Sequence, residues 1–352
     1  MSGCAPSWPD PVLLRMSVPV IDIAPLFELP TTARDDTDRA ILAAAHEIGF
    51  LHIVGLPPDM PLGAQSRAQL LRIFSLEPSA QRRLWRQKFE PGNANVYRGW
   101  FPLQPGNVTA KEGIDLGADV VYGGAVICSG DPLREATPLP TEAALPGWRA
   151  AVSLYYAAME RVCRALMHSI ARSLQLPEDF FDAAFHRGLS TLRLLRYPPR
   201  TAQELAACSE RAVWVEHEGQ RRHLAGAPHT DSGFVTVLAQ DGVGGLQARN
   251  AEGRWIDAPP LERALVVNFG QVLERWCGGR IRATEHRVLG SQLERFSIPF
   301  FYEARADATI GPLPIDAADS FTPFLFGDYL WERIVRFVEF RGMESLRQPT
   351  RP

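Results

Sequence analysis

Apolar residues recur at three- and four-residue intervals in the first half of the chain, a pattern typical of amphipathic helices. The first such segment covers about 33–48 and closes at Gly49, a residue type that commonly ends helices. The longest runs from 148 to 174, and its apolar positions predict a helix with one face packed against a sheet. Shorter helical patterns cover three further segments: 62–75, 78–88 and 328–341.

The hydrophobic pattern changes after residue 188, where short apolar runs replace the helical periodicity. These runs predict strands separated by Gly, Pro and Asn: 190–197, 233–239, 244–248, 264–269, 281–289 and 295–302. Two earlier runs, 18–23 and 50–54, also predict strands, whereas 89–137 is rich in Gly and Pro and is expected to be mostly loop and short strand. Many short strands with turn residues between them favour a β-barrel or sandwich.

These patterns divide the chain into four segments, which we expect to form one folding unit. Residues 1–17 are polar and interrupted by proline, so they predict an N-terminal extension. Residues 18–188 predict an α/β region that packs on a barrel, and residues 189–342 predict that β core with a C-terminal helix. Residues 343–352 form a short tail.

The composition excludes two classes of partner. The chain is 46% hydrophobic with a formal net charge of −3, and its basic residues are not clustered. A binding surface for nucleic acid or for an anionic membrane is therefore not expected. No apolar run approaches the roughly 18 residues of a membrane span. Only two of the 37 basic residues are lysines, Lys88 and Lys111, so an isolated arginine says little about function.

The cysteines indicate the redox compartment. There are five, an odd number without short spacings, which argues against a disulfide framework or a zinc ribbon. The N-terminal residues lack the apolar core of a secretory signal. We therefore expect a protein of the reducing cytoplasm.

Three residues of the C-terminal half have the chemistry and spacing of a metal site. His229 and Asp231 precede the predicted strand 233–239, and if that strand extends back through them, both side chains point to the same face. His286 opens another strand-like run, which a barrel can place beside the first. Two imidazoles and one carboxylate on one face leave open metal positions, the arrangement of non-haem Fe(II) oxygenases. The pattern predicts a catalytic metal centre of His229, Asp231 and His286.

A second pair of residues predicts a carboxylate-binding site. Arg295 and Ser297 lie two residues apart on the predicted strand 295–302, so they share a face. A guanidinium group presents two parallel donors to one carboxylate, and a neighbouring hydroxyl adds a third. Because an unpaired charge on a buried barrel strand is costly, Arg295 stands apart from the other arginines.

Several ordered blocks resemble the isopenicillin N synthase-like branch of the Fe(II)/2-oxoglutarate-dependent oxygenases. In the C-terminal half they are HTDSGFVTVLAQDGVGGLQ at 229–247, WIDAP at 255–259, ALVVNFG at 264–270, EHRVLG at 285–290 and RFSIPFF at 295–301. In the N-terminal half they are VPVIDIAPL at 18–26, AAAHEIGFLHIVG at 43–55 and LRLLRYPP at 192–199. The resemblance spans roughly residues 16–340. It implies a mainly β protein with flanking helices, built on a distorted double-stranded β-helix, or jelly roll.

The resemblance also implies cofactors and residue roles. Fe(II) would be bound by His229, Asp231 and His286, with O2 and 2-oxoglutarate as cosubstrates. The distal carboxylate of 2-oxoglutarate would meet Arg295 and Ser297. Further contacts fall where family members place them: Tyr197 for the cosubstrate, and Tyr97, Arg98 and Trp100 for the substrate.

Two features depart from the family pattern. Gln271 stands where many relatives have an acidic residue, at a position expected to lie outside the metal ligands. The connector 200–228 is longer than expected, and it is interpreted either as a lid that selects the substrate or as a disordered insertion.

The expected function is an oxygenase that hydroxylates, desaturates or cyclises a small molecule, coupled to decarboxylation of 2-oxoglutarate to succinate and CO2. Two alternatives stay open. One is an Fe(II) oxidase of the same family that does not use 2-oxoglutarate, in which Arg295 and Ser297 hold a substrate carboxylate. The other is a non-catalytic barrel that binds a metal or ligand. The sequence does not indicate the prime substrate or the oligomeric state.

Overall fold

The computed structural model describes residues 17–104, 106–208, 213–315, 321–337 and 339–350. The predicted N-terminal extension, apart from its last residue, and the final two residues of the tail lie outside these ranges.

The strands of the described residues concentrate in the C-terminal half, as the sequence predicts. They are β1 (Val20–Asp22), β2 (Phe50–Val54), β3 (Gly99–Phe101), β4 (Glu112–Leu116), β5 (Thr191–Tyr197), β6 (Trp214–His217), β7 (Gln220–His229), β8 (Val235–Gln240), β9 (Leu246–Arg249), β10 (Trp255–Asp257), β11 (Leu265–Phe269), β12 (His286–Leu289), β13 (Arg295–Tyr302), β14 (Thr309–Ile310) and β15 (Phe324–Leu325).

The α-helices concentrate in the N-terminal half. They are α1 (Thr32–Glu47), α2 (Ala64–Leu71), α3 (Pro78–Arg82), α4 (Asp119–Tyr122), α5 (Trp148–Ser173), α6 (Asp182–Phe185), α7 (Ala202–Ala206), α8 (Gln271–Trp276) and α9 (Phe326–Ile334). Single 3-10 turns lie at Ala24–Phe27, Arg72–Ser75, Gly123–Val126, Pro132–Arg134 and Glu344–Leu346. Among the described residues, no helix combines the length and the apolar character that a bilayer crossing requires.

Two sheets form the double-stranded β-helix that the family resemblance implies. The larger has the strand order β1-β2-β11-β8-β13-β5-β4-β3, and the smaller has the order β10-β9-β12-β7-β6. Strands that are distant in sequence are neighbours in both sheets: β13 lies between β5 and β8, and β12 lies between β7 and β9. This arrangement lets residues far apart in the chain line one space between the sheets.

The helix α5 supports the larger sheet from outside. Its apolar stripe, which includes Val152, Tyr156, Met159 and Val162, is buried in the main core. The same core continues through strand residues such as Val237 of β8, so both halves of the chain share it. The prediction of a helix over 148–174 is confirmed within one residue at its end.

Three boundaries differ most from the predictions, and in the first two tertiary contacts replace local ones. The helix predicted over 78–88 ends at Arg82, and the backbone of Leu84 and Arg86 instead pairs with Trp100. The strand predicted from residue 281 begins at His286, because residues 282–284 bond to the end of α1. The C-terminal helix begins at Phe326 and ends at Ile334, whereas the prediction was 328–341.

The connector 200–228 is largely ordered. It contains α7, then the hairpin of β6 and β7, which extends the smaller sheet at its edge. The interpretation as a disordered insertion is therefore wrong for its described part, while residues 209–212 lie outside the described ranges.

Candidate active site

Two strands of the smaller sheet bring the two candidate metal-binding histidines together. His229 is the last residue of β7 and His286 is the first residue of β12, and the two residues are cross-strand partners. Their ring centroids are 4.3 Å apart. Antiparallel pairing thus places two imidazoles from distant parts of the chain side by side.

The third member, Asp231, lies in the turn between β7 and β8. The prediction that His229 and Asp231 share the beginning of the strand after them is wrong, because β8 begins at Val235 and His229 belongs to the strand before. The chain crosses from the smaller to the larger sheet at this turn. The two side chains still converge, since the turn folds Asp231 back toward the end of β7.

The three side chains form a cluster of metal-binding size. Asp231 Oδ1 is 3.9 Å from His229 Nε2 and 3.8 Å from His286 Nε2. One ligand atom from each residue lies within 4.8 Å of the others. Two imidazole nitrogens and one carboxylate oxygen are a donor set that suits a divalent transition metal such as Fe(II).

Backbone hydrogen bonds orient both imidazoles. His229 Nδ1 lies 2.8 Å from the carbonyl oxygen of Ala227, and His286 Nδ1 lies 3.1 Å from that of Thr284. A carbonyl oxygen only accepts, so each Nδ1 carries the proton and each Nε2 keeps its lone pair. The atoms directed toward Asp231 are therefore the ones able to bind a metal.

Two neighbours fix the carboxylate of Asp231. Its Oδ2 accepts hydrogen bonds from Thr236 Oγ1 at 2.6 Å and from Asn268 Nδ2 at 2.7 Å, so Oδ1 stays directed at the histidines. Thr236 and Asn268 are cross-strand partners on β8 and β11. Sequence reasoning did not identify them, although each is a polar residue flanked on both sides by apolar residues of its strand.

The electrostatics of the cluster favour its metal-binding protonation state. Burial, together with the adjacent His286, lowers the pKa of His229 to about 4, so its imidazole is neutral near pH 7. Burial acts to raise the pKa of Asp231, but His286, His229 and the two hydrogen bonds outweigh it and lower that pKa. Neutral imidazoles and an ionised carboxylate are the forms that bind metals.

The predicted carboxylate clamp has unsatisfied donors. Arg295 is 4% exposed, and its Nε donates to the carbonyl of Gly244 at 2.9 Å. Both terminal nitrogens of Arg295 and the hydroxyl of Ser297 are buried without a hydrogen-bond partner in the described structure. Buried polar groups are normally paired, so three orphaned donors on one strand face fit an anionic ligand that supplies the acceptors.

Tyr197 completes this end of the site. It is the last residue of β5, directly opposite Arg295 on β13, and the guanidinium carbon lies 4.9 Å from the centre of its ring. Contact with the aromatic face holds the guanidinium in place.

One cavity of about 410 Å³ connects the metal cluster to the clamp. It is lined by His229, Asp231, His286, Arg295, Ser297 and Tyr197, and its remaining walls are mainly apolar. The structure therefore brings together the six residues assigned to metal and cosubstrate. The volume is suited to a small ligand.

The three candidate substrate contacts have different positions. Tyr97 is 7% exposed, lines this cavity and packs against Phe340. Arg98 is turned away, because its guanidinium donates to the Thr191 hydroxyl and to the Leu189 carbonyl. Trp100 is fully buried in the core and does not line the cavity. Arg98 and Trp100 therefore lie behind the residues that line the cavity, whereas Tyr97 is one of those lining residues.

Comparisons with known proteins agree with this geometry. Residues 191–304 match the model of the 2OG-Fe(II) oxygenase superfamily. The chain is 30% identical to isopenicillin N synthase of Streptomyces clavuligerus over 91% of its own length and 95% of that protein. It is 31% identical to a 2-oxoglutarate-Fe(II) type oxidoreductase of Metarhizium rileyi, over 82% of this chain and 78% of the relative.

A solved structure shares the fold. A full-length Neurospora crassa protein, crystallised with alpha-KG and 5-formyluracil, superposes with a TM-score of 0.74 at 24% identity. The match covers 92% of this chain and 97% of the Neurospora chain. At this level of identity the likeness establishes the fold.

Proposed function

The chain belongs to the 2OG-Fe(II) oxygenase superfamily and is an Fe(II)- and 2-oxoglutarate-dependent oxygenase, and from this premise we propose which residues do its chemistry and what they act on. His229, Asp231 and His286 hold Fe(II), and Arg295 and Ser297 hold 2-oxoglutarate. The prime substrate is a small molecule. The observation that carries the proposal is the shared cavity, which has a metal-binding cluster at one end and orphaned carboxylate-binding donors at the other.

The metal-binding residues would hold iron at one end of the cavity. His229, Asp231 and His286 would supply two imidazole nitrogens and one carboxylate oxygen, a donor set that non-haem Fe(II) oxygenases use. When bound, iron together with 2-oxoglutarate and O2 supplies the oxidation: 2-oxoglutarate becomes succinate and CO2, and a substrate C–H bond is broken. Thr236 and Asn268 keep the Asp231 carboxylate in the orientation that this ligation needs.

The clamp residues position the cosubstrate. Arg295 offers two free N–H groups to one carboxylate, and Ser297 offers a hydroxyl. Because their charge and donors are buried, an anion bound there gains strong hydrogen bonds and removes the cost of the unpaired groups. Tyr197 restricts the guanidinium to the orientation that faces the cavity.

Apolar walls supply the remaining function, which is to exclude water. Leu238, Val266 and Val288 line the cavity beside the metal cluster. A dry site strengthens the electrostatic contacts within it and limits side reactions of the oxidising metal. Whether the outcome is hydroxylation, desaturation or ring formation depends on the substrate.

Stoichiometry tests this proposal. The purified protein with Fe(II), ascorbate, O2 and 2-oxoglutarate is expected to form succinate, in a one-to-one ratio with product once a substrate is found in a metabolite screen. His229→Ala is expected to abolish succinate formation while circular dichroism stays unchanged, and the exposed histidine variant His46→Ala serves as the control. Wild-type turnover in His229→Ala would contradict the metal assignment.

The same assay addresses the two alternatives. Full turnover of substrate without added 2-oxoglutarate would assign Arg295 and Ser297 to a substrate carboxylate and make the protein an oxidase of the same family. Failure to form succinate with any substrate, despite binding Fe(II) and 2-oxoglutarate, would favour a non-catalytic binding barrel.

A further inference from the structure

One face of β13 runs the whole length of the cavity. Alternate side chains of a strand point to the same side, and the cavity is lined by alternate residues of this segment: Arg295, Ser297, Pro299, Phe301 and Glu303. Glu303 lies one residue beyond the end of the strand. The clamp and a carboxyl group thus lie at opposite ends of one strand face.

Glu303 lies on the far side of the metal cluster from the clamp. Phe301 is the cross-strand partner of Thr236, which bonds to Asp231, so the metal cluster lies near this end of β13. A 2-oxoglutarate molecule bound between Arg295 and the metal would not reach Glu303. Glu303 therefore lines the remaining part of the cavity, where the substrate must bind. The proposed function has assigned no role to this residue.

One oxygen of the Glu303 carboxyl group is buried without a hydrogen-bond partner among the described residues. The residue is 7% exposed, and this oxygen is its Oε2. The buried cation in its vicinity, Arg98, donates to Thr191 and to the Leu189 carbonyl instead. Burial and the nearby Asp231 raise the pKa of Glu303 well above its usual range.

Gly233 leaves the space that the Glu303 carboxyl group occupies next to the metal cluster. A Cβ atom added at Gly233 would lie 2.0 Å from Glu303 Oε1, so the carboxyl group packs directly on the glycine backbone. Gly233 is two residues after Asp231 in the same turn. The absence of a side chain at Gly233 therefore allows the Glu303 carboxyl group to lie close to the turn that carries Asp231.

We propose that Glu303 is a substrate-recognition residue, and that the prime substrate carries an amine, amidine or other N–H donor that binds its carboxyl group. This inference rests on the proposed function, which places the substrate beyond the metal. A carboxyl oxygen accepts hydrogen bonds in either protonation state, and a buried acceptor without a donor is destabilising. A ligand that brings the donor removes that cost, whereas an analogue without it leaves the carboxyl group unpaired.

Shape-matched probes test the inference without knowledge of the substrate. The full chain is loaded with Mn(II) and 2-oxoglutarate without O2, and benzamidine and acetophenone are titrated by calorimetry and ligand-observed NMR. Benzamidine presents N–H donors where acetophenone presents only a carbonyl. We expect benzamidine to bind at least about tenfold tighter, as a hydrogen bond to a charged group implies.

Variants locate the contact. Glu303→Leu is expected to remove the preference for benzamidine, and Glu303→Gln, which keeps the volume, is expected to weaken benzamidine binding by about tenfold. Glu339→Gln is the matched control and should retain the preference. Glu339 lines the same cavity, but the nearby charges of Lys111 and Arg193 act on its carboxylate.

Several outcomes would overturn the inference. They are equal affinity for the two probes, a preference for acetophenone, absence of benzamidine binding up to about 10 mM, and equal losses in the Glu303 and Glu339 variants. A separate titration of 2-oxoglutarate distinguishes this failure from failure of the proposed function. If 2-oxoglutarate does not bind the Mn(II) protein, the proposed function fails; if it binds and the probes show no preference, only the role of Glu303 fails.

Discussion

Two buried aspartates show how differently this protein treats its interior charges. Asp115, on β4, is fully buried, and Arg193 donates to its two oxygens at 2.6 and 2.8 Å. Arg86 donates to the same carboxylate. Asp231, in the turn before β8, accepts hydrogen bonds at Oδ2, while Oδ1 faces the two histidines. The carboxylate of Asp115 is paired with two arginines, whereas that of Asp231 keeps Oδ1 available for a metal ion.

The arginines show the same contrast. Arg86 bonds to Asp115 and lies over the rings of Phe101 and Phe340, at 4.9 and 4.6 Å. Arg295 is also buried, but no ion pair joins it to a carboxylate in the described structure, and two of its nitrogens have no acceptor. An unpaired buried charge is costly. The unpaired guanidinium of Arg295 therefore indicates a ligand-binding region, whereas the ion pair of Arg86 with Asp115 indicates a structural one.

The largest expected effect comes from Asp231→Ala. Loss of a metal ligand should lower turnover by at least about a thousandfold, since the oxidation depends on the bound metal. The free energy of unfolding should fall by only about 1–3 kcal/mol, because Asp231 forms no ion pair with a lysine or arginine among the described residues and only Thr236 and Asn268 lose a hydrogen-bond acceptor. Succinate formation and urea denaturation measure the two effects, and a large loss of stability with retained turnover would break the comparison.

Asp115→Ala should show the opposite pattern. It leaves Arg86 and Arg193 without the carboxylate that both of them contact, and with only the more distant charge of Glu339, which is expected to lower the free energy of unfolding by about 3–5 kcal/mol. The affinity of the folded fraction for 2-oxoglutarate should stay close to that of the wild type. Chemical denaturation and 2-oxoglutarate titration check this expectation, and Arg249→Met, which removes an exposed ion pair with Glu285, is the control.

Stability measurements at acidic pH should reveal how much Asp115 contributes to the free energy of unfolding. Burial acts to raise the pKa of Asp115, but Arg193 and Arg86 outweigh it and lower that pKa to about 2. A carboxyl group whose pKa falls on folding stabilises the protein above its unfolded pKa of about 4 and loses this contribution as the pH falls toward about 2. The wild type should therefore lose more stability than Asp115→Ala across this interval, and parallel curves would contradict the assignment.

Arg295→Met should weaken function without a cost in stability. We expect the 2-oxoglutarate concentration for half-maximal rate to rise about a hundredfold, the effect of removing one partner of a buried charge pair. Because the removed guanidinium has no counter-charge among the described residues, the unfolding free energy should stay equal or increase. A shift confined to the KM of the prime substrate would support the oxidase alternative.

The smallest effects concern single hydrogen bonds. Asn268→Ala should lower metal affinity by about ten- to a hundredfold, because Asp231 loses one of the groups that orient it. Ser297→Ala should weaken 2-oxoglutarate binding by about tenfold, the lower end of the range for one hydrogen bond to a charged carboxylate. Equilibrium dialysis and cosubstrate titration give these values. A loss in Ser297→Ala larger than that in Arg295→Met would show that the clamp depends on its hydroxyl more than on its charge.

The sequence by itself predicted most of the elements and the residue types of the candidate site. Hydrophobic periodicity is local, so it located α5 and β13 almost residue by residue, and the family blocks carried His229, Asp231, His286, Arg295 and Ser297. The double-stranded β-helix and the superfamily are both confirmed. The elements follow from residue type and spacing within each segment, and the fold and superfamily follow from the resemblance of ordered blocks along most of the chain.

Only the tertiary structure decided how those residues are held and which neighbours complete them. His229 belongs to β7 because it pairs with His286, Asp231 is oriented by Thr236 and Asn268, and Trp100 is drawn into the core. Glu303 meets Gly233 from a distant part of the chain. Contacts of this kind join segments far apart in sequence, and local periodicity contains no information about which segments the folded chain brings together.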